Sequence, residues 1–363
     1  MVNELQNVKA SRASRIGRNS SRGLPVRGTF IQGWHAGCEE GCMSKTLTPQ
    51  ATRDIRIGIS GWTYPPWRKV FYPEELPQHR ELEYASRALR SIEINGTFYS
   101  LQRASSIRRW YDTVPENFRF SVKGNRFITH IRRLKDVKGP LANFFASGLL
   151  QLGEKQGPFL WQFPPSFSYD RALLEAFFKL LPRSSKEAAH LAKSHDGRLP
   201  ERAVLKARTD VRLRHAIEIR HRSFEIPEFI ELLREHEIAI VVADAAKKWP
   251  FIEDLTADFV YVRLHGHDEL YKSGYTKRAL DAWERKIRRW AKGGSPQEAQ
   301  RLTPPPSPRK SGRDVFVYFD NDVKVHAPFD AMTLAMHLGM KPKPVDGFKV
   351  DLHRDPKAAE AAS

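Results

Sequence analysis

The sequence predicts an α/β protein whose parallel sheet closes as a (β/α)8 barrel, and three observations lead there. Eight short apolar runs have the length and composition of strands. Stretches of helical period separate most of them. Charged or amide side chains recur near the C-terminal end of one run after another. Strand and helix alternating in this way argue for a parallel sheet, and eight repeats most often close on themselves.

In order, the expected strands are 55–60, 91–95, 119–123, 159–163, 216–220, 239–244, 259–265 and 315–320. The second is the clearest. Its period of two sets Ile92 and Ile94 on one side and Glu93 and Asn95 on the other. Helical period is plain over 105–113, 170–181, 227–237, 276–292 and 328–338. Pro227 suits a first helical turn, and Gly339 suits the position just past a helix end. Trp283, Ile287 and Trp290 form a core stripe on the fourth of these helices, with Lys286, Arg288 and Arg289 as its solvated face. Residues 245–258 show no helix, so that unit of the barrel is degenerate.

The pattern implies a single barrel domain over 54–339, with insertions at 183–214 and 293–313. A disordered basic extension, 1–53, precedes it, and a tail, 340–363, follows. Both insertions follow a helix and precede a strand, which places them on the N-terminal face, opposite the functional loops. For 1–53 three origins stay open: a native start at Met43, a basic arm that binds polyanions, or a targeting segment.

The net charge of +18 invites a nucleic-acid reading, so its distribution matters. Residues 1–53 carry eight Lys/Arg against three acids, and residues 183–214 carry nine against four. The excess therefore sits mostly on appendages and says little about an active site. Cys38 and Cys42 are the only cysteines. That excludes a disulfide framework and fits a reducing, cytoplasmic setting. With His35 they still lack a fourth zinc ligand. No run approaches the ~18 apolar residues of a membrane span, so no membrane partner is expected.

Seven motifs stand in order along the chain. They are Gly58-Ile-Ser-Gly-Trp62-Thr-Tyr64, Phe71-Tyr-Pro73, Glu93-Ile-Asn95-Gly-Thr97-Phe98-Tyr99, Trp161-Gln162-Phe163-Pro164-Pro165-Ser166-Phe167, Glu218-Ile-Arg220-His221, Tyr261-Val-Arg263-Leu-His265-Gly266 and Val317-Tyr-Phe-Asp320-Asn321-Asp322. Together they resemble the YecE-like family, domain of unknown function 72, over roughly residues 55 to 339. The resemblance implies a TIM-barrel-like fold and names no activity. In that family's pattern Asn is common where this chain has Asp320.

Placing each strand's late polar residues at a barrel mouth gathers Glu93, Asn95, Lys123, Gln162, Glu218, Arg220, Asp244, Arg263, His265, Asp320 and Asn321. Trp62, Tyr64 and Tyr99 would stand around the rim. Glu93, Glu218 and Asp244 are the candidate catalytic carboxylates, because burial raises a carboxyl pKa and a neighbouring Arg lowers it. Lys123, Arg220, Arg263 and His265 are the candidate anion clamp. The bland alternative is that Glu93–Lys123, Glu218–Arg220 and Asp244–Arg263 merely neutralise one another. Cations already supply the positive charge that a divalent ion would, so neither a metal nor another cofactor is expected. The leading expectation is a metal-independent lyase, isomerase or hydrolase acting on a phosphate- or carboxylate-bearing ligand. A nucleic-acid-binding barrel or nuclease is the alternative, and a non-catalytic binding protein is a third reading. Oligomeric state is left open.

Overall fold

In the computed structural model, which describes residues 54–266, 268–321 and 325–350, eight parallel strands close into a barrel in sequence order. They are β1 (Ile55–Ser60), β2 (Ser91–Ile94), β3 (Arg119–Lys123), β4 (Gln156–Gln162), β5 (His215–Glu218), β6 (Ala239–Asp244), β7 (Phe259–Leu264) and β8 (Asp314–Phe319). The register Ile55↔Val315 through Ile59↔Phe319 joins β1 to β8. The expected fold class is thereby shown.

Outer helices are α1 (Glu81–Ala88), α2 (Gly96–Tyr99), α3 (Ala104–Thr113), α4 (Lys138–Ala146), α5 (Arg171–Leu180), α6 (Ser185–Ala192), α7 (Pro227–Glu235), α8 (Lys277–Ala291) and α9 (His326–His337). Pro227 opens α7, and Gly339 follows α9 with φ of 78°. Among the described residues no helix lies between β6 and β7, as the pattern implied. The buried carboxylates of Glu253 and Asp254 fill that gap by receiving the backbone amides of Gln300, Leu302 and Thr303. Part of the insertion 293–313 is thus pinned across the missing helix. Lys286, expected to be solvated, donates to Glu253 at 2.6 Å for the same reason.

Strand β4 begins three residues before its expected start, because Gly157 and Pro158 read as breakers. Phe120 pairs with Gln156 but Val122 pairs with Phe159, so two residues of β4 bulge opposite Ser121. A bulge tolerates a proline without an N–H. It also brings Gly157 so close to β3 that a Cβ there would lie 2.7 Å from the Phe120 carbonyl oxygen.

Two apolar cores result from the alternation of strand side chains. The larger lies between strands and helices and includes Trp161, Ile217, Trp290 and Val317. The smaller fills the barrel interior with Leu160, Ala216, Val241, Phe259, Tyr261, Phe316 and Tyr318. At the N-terminal end the Arg214 guanidinium lies 4.9 and 5.1 Å from the Phe259 and Phe316 rings and donates to Asp314. The Tyr261 and Tyr318 hydroxyls, bonded to Ser121 and Ser91, make the next level. The polar mouth rests on these tyrosines.

The insertion 183–214 corrects one expectation. Its ends do meet at the N-terminal face, where Ser184 bridges Arg212. Its middle climbs the barrel wall, bonding Val204 to Ala146, Glu201 to Ser105 and Asp196 to Asn143. Asp196 and Arg198 end in a cleft shared with Tyr99 and Asn125, which follow the C-terminal ends of β2 and β3. The tail also departs from its expected boundary. Up to residue 350 it packs on α1, with Lys343 bonded to Arg87 and Arg80 lying over Phe348. The extension 1–53, with Met43 and both cysteines, lies outside the described residues. Among the described residues no helix is long and apolar enough to cross a membrane.

Candidate active site at the barrel mouth

Arg263, the penultimate residue of β7, is fully buried at the centre of the mouth. Its Nε and Nη2 donate to the two oxygens of Glu93 at 3.2 and 2.9 Å. Its Nη1 donates to Glu218 at 2.8 Å, and Nη2 also reaches Asp320 at 2.8 Å and Ser60 Oγ at 3.2 Å. Side chains from β1, β2, β5 and the residue after β8 therefore converge on one guanidinium. A buried charge needs such partners, because desolvation would otherwise cost several kcal/mol or more.

Each carboxylate is held from other sides too. Glu93 receives Ser60 Oγ at 2.8 Å and the Tyr261 hydroxyl at 2.5 Å. Glu218 receives Gln162 Nε2 and Arg220 Nε, both at 2.9 Å. Burial would raise the Glu218 carboxyl, but Arg263 and Arg220 outweigh it and hold it below the usual carboxylate range. Burial and Arg263 oppose each other in the same way at Asp320, with the same result. His265 is pushed down by burial and then by Arg263, so it is neutral at pH 7. Its Nδ1 lies 3.0 Å from Asp320, off the hydrogen-bond axis, while Nε2 lies 3.3 Å from Arg263.

Two cations rim this floor. The Arg220 guanidinium stacks 3.7 Å from the Trp249 ring and reaches the Tyr271 hydroxyl at 3.4 Å. Lys123, the last residue of β3, is nine-tenths buried with its ammonium 4.5 Å from the Phe98 ring centroid. It makes no hydrogen bond or ion pair with the described residues. Burial, reinforced by Arg263, brings it down to about 8. His130 stands edge-on to Phe98, and burial with Arg220 and Lys123 pushes it down to about 4. Three carboxyl groups thus face three cationic side chains.

The expected residues divide as follows. Glu93, Lys123, Gln162, Glu218, Arg220, Arg263 and His265 come together. Asp244 stands apart: it receives the Tyr275 hydroxyl at 3.1 Å and lines a separate cleft with Trp249, Trp283 and Lys286. The expected Asp244–Arg263 and Glu93–Lys123 pairs are replaced by Arg263 with Glu93, Glu218 and Asp320, while the Glu218–Arg220 pair is present. Asn321 is buried, with its amide donating to the Ser273 carbonyl and to Asp330, so it anchors the loop after β7. Trp62, Tyr64, Asn95 and Tyr99 line a cleft of about 310 Å³ after the ends of β1 and β2, whose lining does not include Arg263. Trp62 packs edge-on against Trp110, and the Tyr64 hydroxyl donates to the Ser60 carbonyl.

Sequence reasoning missed Tyr261, Trp249 and Tyr271 as parts of the mouth. Tyr261 was legible, because it lies two residues before Arg263 on the same strand face. Trp249 and Tyr271 come from irregular segments without periodicity. As for metals, a guanidinium already fills the centre of the three mouth carboxylates. Among the described residues, ligand atoms of Asp281, Glu284 and His337 cluster on α8 and α9. Lys277 and Arg288 already pair with those two carboxylates.

With this geometry in hand, comparison with known proteins is informative. The profile of a family described as "Protein of unknown function DUF72" matches residues 56–357. The UPF0759 protein YecE of Escherichia coli K12 is 25% identical over 261 residues, covering 67% of this chain and 84% of that protein. The UPF0759 protein YunF of Bacillus subtilis 168 is 29% identical over 118 residues, 31% of this chain and 41% of its own length. A crystal structure of a DUF72 family protein from Thermotoga maritima MSB8 superposes with a TM-score of 0.59 at 24% identity, covering 79% of this chain and 99% of that one. Another, from Enterococcus faecalis V583, gives 0.58 at 17% identity, over 82% and 100% of the two chains. At these identities the two structures speak to the fold alone. The profile, however, spans the barrel and every strand end that builds the mouth, and the chain is a member of the DUF72, YecE-like family.

Proposed function

We propose that the barrel mouth binds a small ligand bearing a phosphate or carboxylate group, and that Lys123 and Arg220 meet its negative charge. The observation that carries this reading is Lys123, nine-tenths buried, whose ammonium has no hydrogen-bonding partner among the described residues above a floor whose three carboxylates are committed to Arg263. A buried charge in that state is costly, and an incoming anion would relieve it. Arg263 takes a different part from the expected clamp. Its N–H groups are occupied by Glu93, Glu218, Asp320, Ser60 and His265, so it organises the floor and does not reach the ligand.

The same geometry moves the acid/base role. Glu218 and Asp320 stay ionised across the working range, and Glu218 already accepts from Gln162, Arg220 and Arg263, which suits them poorly to shuttle a proton. Lys123 titrates about one unit above neutrality and fits that task better.

Calorimetric titration of the full chain with inorganic phosphate and with pyruvate tests the proposal. Binding to wild type should fall at least tenfold in Lys123→Met, the loss expected for one charge-assisted contact of about 1.5–3 kcal/mol. Affinity should change little with salt. A steep salt dependence with tighter binding of oligonucleotides would instead favour the nucleic-acid alternative. Equal binding by wild type and Lys123→Met would remove the proposal.

A further inference from the structure

We propose that Lys123 is a nucleophilic amine that condenses with the carbonyl group of an oxo acid or oxo phosphate to form an imine. This rests on the anion-site reading above and adds the substrate class.

The treatment of other mostly buried lysines shows what is unusual here. Lys155 donates to the Tyr111 and Val114 carbonyls, and Lys286 pairs with Glu253. Both ammonium groups are satisfied and held in place. Lys123 has only the face of Phe98. Its stem leaves the last position of β3, so the barrel fixes where the nitrogen can go. The charged groups around it are Glu93 from β2, Glu218 from β5, Arg263 from β7 and Asp320 beyond β8. The three carboxylates among them are already committed to Arg263, so their pull on Lys123 is shared.

The consequence is a supply of free amine. A lysine titrating near 8 is about one-quarter unprotonated at pH 7.5, against roughly one part in a thousand for an ordinary lysine. Desolvation next to other cations is a recognised way of activating lysine toward carbonyl compounds. Two further groups set its surroundings. Arg220 supplies a fixed cation at the same mouth for the anionic end of the substrate. His130, edge-on to the ring that carries the Lys123 ammonium and pushed down to about 4, stays neutral and adds no positive charge beside the amine.

The step balances without a redox partner. The Nζ lone pair forms the C–N bond, the carbonyl C–O bond breaks, and the oxygen leaves as water with the two protons of the neutral amine. The imine then withdraws electrons from the adjacent carbon, which is the basis of lyase and isomerase reactions on such substrates.

The test is reductive trapping of the full chain with sodium cyanoborohydride, using pyruvate and dihydroxyacetone phosphate as probes, followed by peptide mapping. The expected result is one equivalent of secondary amine on the peptide holding Lys123, competed by inorganic phosphate and absent from Lys123→Arg. In parallel, 13C-formaldehyde methylation and a pH titration of the labelled amines should give Lys123 a midpoint near 8. Trapping spread over surface lysines without enrichment at Lys123 overturns the imine, as does an ordinary midpoint near 10.4. If phosphate binding still depends on Lys123 while neither probe is trapped there, the imine fails and the anion site stands. If phosphate binding ignores Lys123→Met, both fail.

Discussion

Replacing Arg263 with leucine should make the protein respond to pH in the opposite sense from wild type. In wild type, Glu218 and Asp320 are depressed by the guanidinium, so their folded-state pKa values lie below the unfolded ones. Their contribution to stability is present above the unfolded values near 4 and is lost only as the pH falls through the folded values. Removing Arg263 leaves Glu93, Glu218 and Asp320 without the cation that bonds all three. Burial then dominates and raises the carboxyls, so the folded state prefers them protonated. Breaking a buried pair from one side costs about 3–5 kcal/mol, a large part of the 5–15 kcal/mol typical of a domain. That cost should shrink between pH 8 and pH 5 as the carboxyls take up protons. Arg220 and Gln162 still hold Glu218, which keeps the loss toward the lower figure. Urea unfolding at both pH values measures it directly. Arg263→Lys serves as a companion that keeps the charge but loses the planar fork, at about 2 kcal/mol. A loss in Arg263→Leu below about 1 kcal/mol, or one equal at pH 8 and pH 5, would refute the central place given to this side chain.

Three further outcomes are expected. Asp330 is raised by burial to about 6, above its unfolded value, so its stabilising effect is present at low pH and lost as the pH rises from 4 to 6. Asp330→Asn, which can still accept from Asn321 and Tyr275, should gain about 3 kcal/mol over wild type at pH 8 and almost nothing at pH 4 in thermal unfolding. Gly157→Ala should destabilise by about 2 kcal/mol or more by urea unfolding, because a Cβ would press the Phe120 carbonyl at the β3–β4 bulge. Lys123→Met should leave the urea midpoint unchanged or slightly raised, since it removes a buried charge without a bonded partner.

The barrel was legible because each strand face alternates and each helix repeats at its own period. The mouth was partly legible for the same reason: Glu93, Glu218 and Arg263 occupy late, inward positions on their strands, and closing the sheet brings them together. Asp244 shares that position in β6, yet the Tyr275 hydroxyl holds it. That contact comes from the irregular loop after β7, where no period tells a reader which side chains return to the mouth. Arg263 was seen as a free clamp because one strand cannot show how many carboxylates its neighbours will present to it. The climb of insertion 183–214 up the wall was hidden likewise. It depends on single polar contacts such as Asn143 with Asp196, made between segments far apart in the chain.

The reading of the mouth is tested most directly by soaking crystals grown without added anions in selenate and recording anomalous scattering at the selenium edge. The structure predicts a peak whose oxygens lie within about 3 Å of Lys123 Nζ, with Arg220 as the second contact, and no such peak in Lys123→Met. Selenate found only on exposed arginines, with the mouth empty in wild type and variant alike, would contradict it.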